Sequence, residues 1–328
     1  MNSNAPAAIV FDHARKEFPG AARPAVADAT FEVPHGHLVV LLGPSGCGKT
    51  TLLKSVNRLY ELTAGRILVE GTDIAATPIA DLRRRIGYVI QSVGLFPHMR
   101  VARNIGVVPH LLGWDQARTD ARVDELLTLV GLPPAEYRNR YPAQLSGGQQ
   151  QRVGLARALA ADPPIMLMDE PFAAIDNITR TRLQDALLDI QRTVRKTILF
   201  VTHDVEEALR LADEIVVMRE GHVLQYDTPL NLLTRPAGEF VGRLLGADDV
   251  LRRLSLVAVG ALMEPAESMP AGGPALAPND DLRHALGVLL AEGRDSLPVR
   301  DEAGGLIGCL SLHDLRRLAG QPEVLSAE

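Results

Sequence analysis

A glycine-rich loop between an apolar run and a helical pattern constrains the fold of this chain more than any other feature. The apolar run covers residues 37–42, and Leu52, Leu53 and Val56 follow the loop at helical spacing. The loop consists of Gly43, Pro44, Ser45, Gly46, Cys47, Gly48, Lys49, Thr50 and Thr51. Small residues let consecutive backbone N–H groups surround an anion, and the positive end of the next helix faces the same anion. The pattern predicts a strand, a phosphate-binding loop and a helix, with a tight turn that binds nothing as the alternative.

Two side chains at the end of this loop suit a nucleotide with a bound metal ion. Lys49 would reach the β- and γ-phosphates as a point charge and stabilise the charge that develops during phosphoryl transfer. The Thr50 hydroxyl would hold Mg²⁺. The loop therefore favours ATP and Mg²⁺ as the cofactors.

Composition bounds the class of protein and its partners. At 328 residues and 46% hydrophobic content, the chain has room for one large and one small globular domain. A net charge of −6 without a basic block argues against a nucleic-acid partner. The two cysteines, Cys47 and Cys309, form neither a disulfide framework nor a metal-binding spacing, which fits a reducing cytoplasm. No apolar run approaches the roughly 18 residues that a membrane-spanning helix needs. If the protein acts at a membrane, we expect it to do so by docking onto another chain.

A carboxylate pair follows an apolar strand pattern in the second half of the chain. The strand is predicted at 164–168, directly before Asp169 and Glu170. Open α/β sheets bind ligands at the carboxyl ends of their strands. Asp169 would hold Mg²⁺ through water, and Glu170 would polarise the attacking water. A charged turn before Pro171 is the alternative.

Two further polar residues end neighbouring strand patterns. Gln91 follows a strand at 86–90, and His203 follows a strand at 197–201. On the same sheet edge, Gln91 could reach the metal or the water, and His203 could contact the γ-phosphate. An isolated histidine more often makes a local hydrogen bond, so the hypothesis for His203 depends on its position.

Two other segments have both a structural and a nucleotide-binding interpretation. Phe18 lies in a loop rich in Pro and Ala, where it is either a stacking platform for a purine or an ordinary packing residue. Residues 101–162 show helical periodicity, including helices at 101–112 and 116–130. They contain Ser146, Gly147, Gly148 and Gln149. This helix start is either a plain N-cap and turn or a second anion site.

The composition changes after residue 246. A segment at 264–280 rich in proline has little periodicity, and a helix, two strands and a second helix follow it. This predicts a small αβ unit of about 60 residues, which is marginal as an independent fold.

Together these motifs resemble the nucleotide-binding subunit of an ABC transporter over residues 7 to 245. The resemblance implies an α/β fold: a P-loop NTPase cassette with a RecA-like core, an antiparallel β subdomain and a helical subdomain at about 101–162. It makes Phe18 the aromatic residue that stacks on adenine and Gln91 the glutamine of the glutamine loop. Residues 146–149 become the signature motif, and Glu170 becomes the catalytic carboxylate. Asp176 becomes the aspartate of the loop that touches the opposite subunit, and His203 the switch histidine.

The sequences of residues 91–98, 141–152 and 171–180 are similar to those of the ATP-binding subunits of importers for glycine betaine, carnitine, choline and proline. This resemblance implies a homodimer of ATPase subunits that sandwiches two ATP molecules, bound to permease subunits at the cytoplasmic face of the membrane. A solute-binding protein would take part indirectly. We expect the permease contact around residues 92–104, where Leu95, Phe96, Pro97 and Met99 form an apolar cluster, with core packing as the alternative. The competing classes are an importer of another small solute and a non-transport ABC ATPase; the latter predicts a coiled coil, a basic face or a duplicated cassette.

Residues 246–328 divide into a linker and a small unit in which residues 296–299 and 308–314 resemble one CBS repeat, whereas the family usually carries two. Gly308, Ser311 and Asp314 match the part of a CBS repeat that can hold an adenosyl group. The resemblance therefore implies either a regulatory adenine nucleotide or a packing unit without a ligand, paired with its copy on the other subunit.

Overall fold

The computed structural model describes residues 7–91, 94–173, 176–266 and 273–320. The chain divides into two compact units between Tyr226 and Asp227. The sequence predicts a boundary near residue 245 instead. Helices at 229–245 group with the C-terminal unit because Leu230 packs against that unit's core, a tertiary contact that helical periodicity does not reveal.

The N-terminal unit is built on one ten-stranded sheet, which includes the strands that the sequence predicts at 37–42, 86–90, 164–168 and 197–201. In chain order the strands are β1 (Ile9–Lys16), β2 (Val26–Val33), β3 (Leu38–Leu42), β4 (Ala64–Val69), β5 (Thr72–Asp73), β6 (Ile86–Val89), β7 (Ile165–Asp169), β8 (Thr197–Thr202), β9 (Glu214–Arg219) and β10 (His222–Asp227). Across the sheet their order is β5-β4-β1-β2-β10-β9-β3-β8-β7-β6. The two-residue strand β5 was not predicted, because it is too short to show an alternating pattern.

Helices join these strands and continue into the C-terminal unit. They are α1 (Lys49–Val56), α2 (Ile79–Arg84), α3 (Val101–Ile105), α4 (Val107–Leu111), α5 (Gln116–Leu129), α6 (Pro134–Tyr137), α7 (Gly147–Leu159), α8 (Asn177–Val194), α9 (Val205–Leu211), α10 (Pro229–Thr234), α11 (Glu239–Leu245), α12 (Val250–Leu254), α13 (Leu282–Glu292) and α14 (Leu312–Gly320). No helix in the described ranges combines the length and the apolar character needed to cross a bilayer.

The parallel part of the sheet forms the centre of the N-terminal unit. β3 pairs in parallel with β8 and β9, β8 with β7, and β7 with β6. Every residue of β3, β7 and β8 is buried, which explains why these strands are apolar without alternation. In the register, Leu42 lies opposite Thr202, and Asp169 lies opposite Val201. The carboxyl ends of the strands therefore meet at one edge, as the sequence predicts.

Antiparallel pairing dominates the other side of the sheet. β1 pairs with β2 and β4, and β4 pairs with β5. Phe11 of β1 stacks on Phe31 of β2 with ring centroids 4.4 Å apart. This part matches the antiparallel subdomain that the resemblance implies.

The prediction for the helix at 101–112 needs correction. The helix predicted at 101–112 is interrupted at Gly106, where an added Cβ would lie 3.0 Å from Thr119 Cγ2 of α5. Periodicity continues through the break because α3 and α4 both pack against α5. Helix α8 begins at Asn177, since Asp176 caps it.

The C-terminal unit has the helix, two strands and helix that the sequence predicts. β11 (Ser296–Arg300) pairs antiparallel with β12 (Leu306–Ser311), and these strands lie in sequence between α13 and α14. Its core includes Leu254, Leu282, Val299 and Leu310, all buried. Residues 267–272 of the segment rich in proline lie outside the described residues.

Candidate functional site

The glycine-rich loop follows β3 and needs glycine at two points of close approach. At Gly43 (φ 156°) a Cβ would lie 2.2 Å from the carbonyl oxygen of Met218. At Gly48 (φ 110°) a Cβ would lie 2.3 Å from the carbonyl oxygen of Ala25. Pro44, Ser45 and Gly46 form the exposed crest of the loop, and Cys47 is buried beneath it. The loop is thus fixed against the neighbouring backbone at both ends, and its crest is open to a ligand.

Lys49 begins α1 and carries its charge into this loop. Its side chain is 5% exposed, and Nζ donates to the carbonyl oxygens of Gly43 at 2.6 Å and Pro44 at 3.1 Å. Carbonyl groups orient the ammonium group but do not neutralise it. A bound phosphate would supply the opposite charge that a buried cation favours.

Thr50 and Asp169 form an oxygen-donor pair beside the loop. The Thr50 hydroxyl donates to Asp169 Oδ1 at 2.8 Å, and Asp169 is 5% exposed. Lys54 Nζ lies 3.8 Å from Asp169 Oδ2. Hydroxyl and carboxylate oxygens are hard ligands that suit Mg²⁺, so these residues fit the predicted metal.

Glu170 lies where two predicted site residues converge. Gln91 Nε2 donates to Glu170 Oε2 at 3.4 Å, and His203 Nδ1 lies 3.3 Å from the same oxygen. Glu170 has a left-handed backbone (φ 44°), and its N–H donates to the carbonyl oxygen of Val201. Strained backbone of this kind concentrates at functional sites. The sequence places these three residues on one edge, and the structure joins them through one carboxylate.

Ser146 is the N-cap of α7, as the simpler interpretation of that segment predicts. Its Oγ accepts from the N–H of Gln149 at 3.3 Å, and its own N–H donates to Gln149 Oε1 at 3.0 Å. This reciprocal pair is a capping box. Gln149 Nε2 also contacts Tyr137 Oη at 3.1 Å, which fixes the amide orientation. The cap occupies the N–H of Gln149 only, so the anion-site hypothesis stays a prediction.

Asp176 is the N-cap of α8, and it accepts from the N–H of Thr179 at 3.1 Å. This hydrogen bond holds the pKa of the Asp176 carboxyl below its usual value. The starts of α7 and α8 are close together, because a Cβ at Gly148 would lie 2.7 Å from Thr179 Cγ2. A Cβ built at Gly147, by contrast, would have no neighbouring atom within 4 Å.

Phe18 is half-buried at the end of β1. Its ring meets Tyr60 edge-on with centroids 5.2 Å apart, and Lys16 Nζ lies 4.9 Å from the ring centroid. An aromatic partner holds the ring in a defined orientation. The role of Phe18 in adenine stacking stays a prediction.

Asn104 is a functional candidate that the sequence did not reveal. It is fully buried in α3, its Oδ1 accepts from the N–H of Phe96 at 2.8 Å, and its Nδ2 donates to the carbonyl oxygens of Phe96 and Met99. One amide therefore shapes the loop at 94–100, and Phe96 remains 40% exposed. A polar residue on a helix gives no signal of such a role until the loop around it is known.

Comparisons with known proteins show which proteins this chain is similar to. The model of the family described as ABC transporter matches residues 26–173. The glycine betaine uptake system ATP-binding protein YehX of Escherichia coli is 49% identical over 94% of this chain and 98% of its own length. The osmoprotectant import ATP-binding protein OsmV of Salmonella typhimurium is 45% identical over 90% of this chain and 76% of its own length.

A solved structure shows the same fold with products bound. It is the dimeric, post-hydrolysis state of the ATP-binding cassette MJ0796 bound to ADP and Pi, with a TM-score of 0.61 and 28% identity. The match covers 67% of this chain and 98% of that chain.

The two interpretations of Ser146 can be separated with a matched cap variant. Ser146→Ala and Asp115→Ala each remove an N-cap, at α7 and α5, so each should lower the free energy of unfolding by about 1 kcal/mol in urea titrations. If the start of α7 binds an anion, Ser146→Ala should also slow ATP hydrolysis on the order of tenfold, whereas Asp115→Ala should not. Equal hydrolysis rates would leave Ser146 as a helix cap only.

Proposed function

Because this chain belongs to the family of ABC transporter ATP-binding proteins, we propose that it is the ATP-hydrolysing subunit of an importer for a quaternary-amine osmoprotectant. The observation that carries the ATPase part is the convergence of Gln91 and His203 on Glu170, next to the Thr50 and Asp169 pair. The names of the E. coli and Salmonella relatives support the solute class.

ATP would bind with its phosphates in the loop at 43–51. Backbone N–H groups of the loop and Lys49 would hold the phosphates, and Phe18 would stack on the adenine. Thr50 and Asp169 would hold Mg²⁺, which neutralises charge on the phosphate oxygens when bound.

Hydrolysis would proceed by in-line attack of water on the γ-phosphate. Glu170 would accept a hydrogen bond from the water and orient it. Gln91 and His203 restrict the carboxylate through Oε2, which leaves Oε1 for the water. A protonated imidazole donates through both nitrogens, so His203 could contact Glu170 through Nδ1 and the γ-phosphate through Nε2.

A dimer would complete the site. Ser146 and the first turn of α7 would face the phosphates bound by the partner subunit, and Asp176 would lie at the same interface. The dimeric state of the solved relative supports this arrangement. One chain would thus use two anion-binding helix starts, one for each nucleotide of the sandwich.

The loop at 94–100 is our proposed contact with the permease at the cytoplasmic face of the membrane. Phe96 and Gly94 line a cavity of about 370 Å³ together with Arg83 and Arg157. Arg157 of α7 donates to the carbonyl oxygen of Gly94 at 2.7 Å, which anchors the loop to that helix. An exposed aromatic residue on a braced loop suits docking better than core packing. Ser92 and Val93 of the predicted contact lie outside the described residues.

The C-terminal unit would act as a single CBS-like module that pairs with its copy. Its three predicted nucleotide residues have structural roles of their own. A Cβ at Gly308 would lie 2.7 Å from the carbonyl oxygen of Glu264, so glycine permits that close contact. Asp314 is 4% exposed and accepts from the N–H and hydroxyl of Ser311. These contacts favour packing without a ligand over an adenine nucleotide.

Replacing the carboxylate beside the water tests the ATPase assignment. Glu170→Gln should reduce hydrolysis on the order of 100-fold while retaining ATP affinity, because the phosphate-binding loop is unchanged. The variant should elute as a dimer in size-exclusion chromatography with Mg-ATP. Glu125→Gln on the exposed face of α5 is the control and should match the wild type. Wild-type hydrolysis by Glu170→Gln would refute the role of Glu170.

Radiolabelled uptake tests the solute class. Deleting the subunit should abolish uptake of glycine betaine, carnitine, choline or proline at high osmolarity, and leave sugar uptake intact. Complementation with the wild type should restore it, and complementation with Glu170→Gln should not. Unchanged uptake of all four solutes in the deletion strain would exclude this class.

The permease contact can be tested with two residues of equal exposure. Phe96 and Leu224 are each 40% exposed, on the loop at 94–100 and on β10. Phe96→Ser should reduce the permease that co-purifies with the subunit about tenfold, because a central aromatic anchor dominates such contacts. Leu224→Ser should have no effect. Equal retention by both variants would place the contact elsewhere.

A further inference from the structure

A buried polar pair lies behind the turn that carries His203. Gln184 of α8 and Glu207 of α9 are each 5% exposed. Gln184 Nε2 donates to Glu207 Oε1 at 3.1 Å. A carboxylate removed from water requires such a partner, so this contact is a strong restraint between the two helices.

A second contact joins the same helices one turn earlier on α8. Arg180 Nη1 lies 3.4 Å from Asp204 Oδ2. Arg180 precedes Gln184 by four residues, so both side chains lie on one face of α8. These charged groups are partly exposed and contribute less than the buried amide and carboxylate.

Both neighbours of His203 in the chain are bonded into this cluster. The N–H of Asp204 donates to Thr202 Oγ1 at 3.0 Å, and Asp204 Oδ1 accepts from the N–H of Glu207 at 3.2 Å. Burial raises the pKa of Glu207, and hydrogen bonds from Thr202 and Gln184 oppose that rise. The backbone on either side of His203 is therefore held by the polar cluster, while the imidazole itself is exposed.

The cluster and the catalytic carboxylate share one cavity. Glu170, His203, Arg180 and Glu207 line a space of about 40 Å³. A small displacement of the turn would change the 3.3 Å separation of His203 Nδ1 and Glu170 Oε2. Misplacement of a reacting group by about 1 Å can lower a rate 100-fold.

We propose that Gln184 and Glu207 are positioning residues for His203, which lock the His203 turn to α8 through their hydrogen bond. Both residues are buried between α8 and α9 and would not need to contact the nucleotide. The pair acts through the position of the imidazole against Glu170. The inference rests on the proposed ATPase function and assigns a role to two residues beyond it.

The test compares two leucine variants on the same helix in the full-length protein. Gln184→Leu removes the hydrogen bond to Glu207. Gln191→Leu removes two structural hydrogen bonds, from Gln191 Nε2 to the carbonyl oxygens of Gly36 and Lys196, far along α8. Gln184→Leu should lower kcat at least about tenfold and leave KM for ATP within about twofold, and Gln191→Leu should leave both constants near wild type. Thermal unfolding of the two variants measures the stability that each loses.

Two further variants separate positioning from a general loss of structure or charge. Glu207→Gln retains an acceptor oxygen for Gln184 and should keep kcat within about threefold, whereas Glu207→Leu should behave as Gln184→Leu does. In a His203→Ala background, Gln184→Leu should cause no further loss of the residual rate, because residues that act through one another are not additive.

Several results would overturn the inference. One is a wild-type kcat for Gln184→Leu, and another is a loss of kcat in Gln191→Leu equal to that in Gln184→Leu. The others are an inactive Glu207→Gln variant, or a loss of rate from Gln184→Leu that is as large in the His203→Ala background as in the wild type. Each leaves the ATPase assignment intact as long as the wild type hydrolyses ATP. A wild-type protein that does not hydrolyse ATP, alone or with its permease, would refute both.

Discussion

The parallel pairing of β3, β8, β7 and β6 is the constraint on which the rest of the structure depends. Each strand is followed by one part of the candidate site: the glycine-rich loop after β3, His203 after β8, Asp169 and Glu170 at the end of β7, and Gln91 after β6. Because parallel strands in register end at the same edge, four separate segments of sequence reach one place. The glycine contacts at Gly43 and Gly48 then fix the loop at that edge.

The sequence predicts most of this core, and the reason is physical. Fully buried parallel strands are continuous apolar runs, and the residue that follows such a run is easy to locate. That is why the positions of Lys49, Asp169 and His203 follow from the pattern alone. The mutual contacts among Gln91, Glu170 and His203 do not, since side-chain distances depend on packing between distant segments.

What the sequence missed has a common cause. Asn104, Gln184 and Glu207 are buried polar residues whose partners lie on other elements. Periodicity assigns such positions to a helix but cannot show which carbonyl or carboxylate they meet. The boundary near residue 245 failed to match the compact units for a related reason, because a helix with an apolar face can pack on either neighbouring core.

The left-handed backbone at Glu170 makes the stability of the fold and the rate of catalysis place opposite demands on this position. A residue with a Cβ costs about 1–2 kcal/mol in this conformation, and glycine would remove that cost. If Glu170 is the catalytic carboxylate, as we propose, heat-resistant variants that are selected for stability alone should accumulate glycine or asparagine at position 170 and lose ATP hydrolysis. On the same proposal, a carboxylate that is retained at this position indicates selection for activity, and the residue at position 170 would separate chains of this fold that hydrolyse ATP from chains that only bind it.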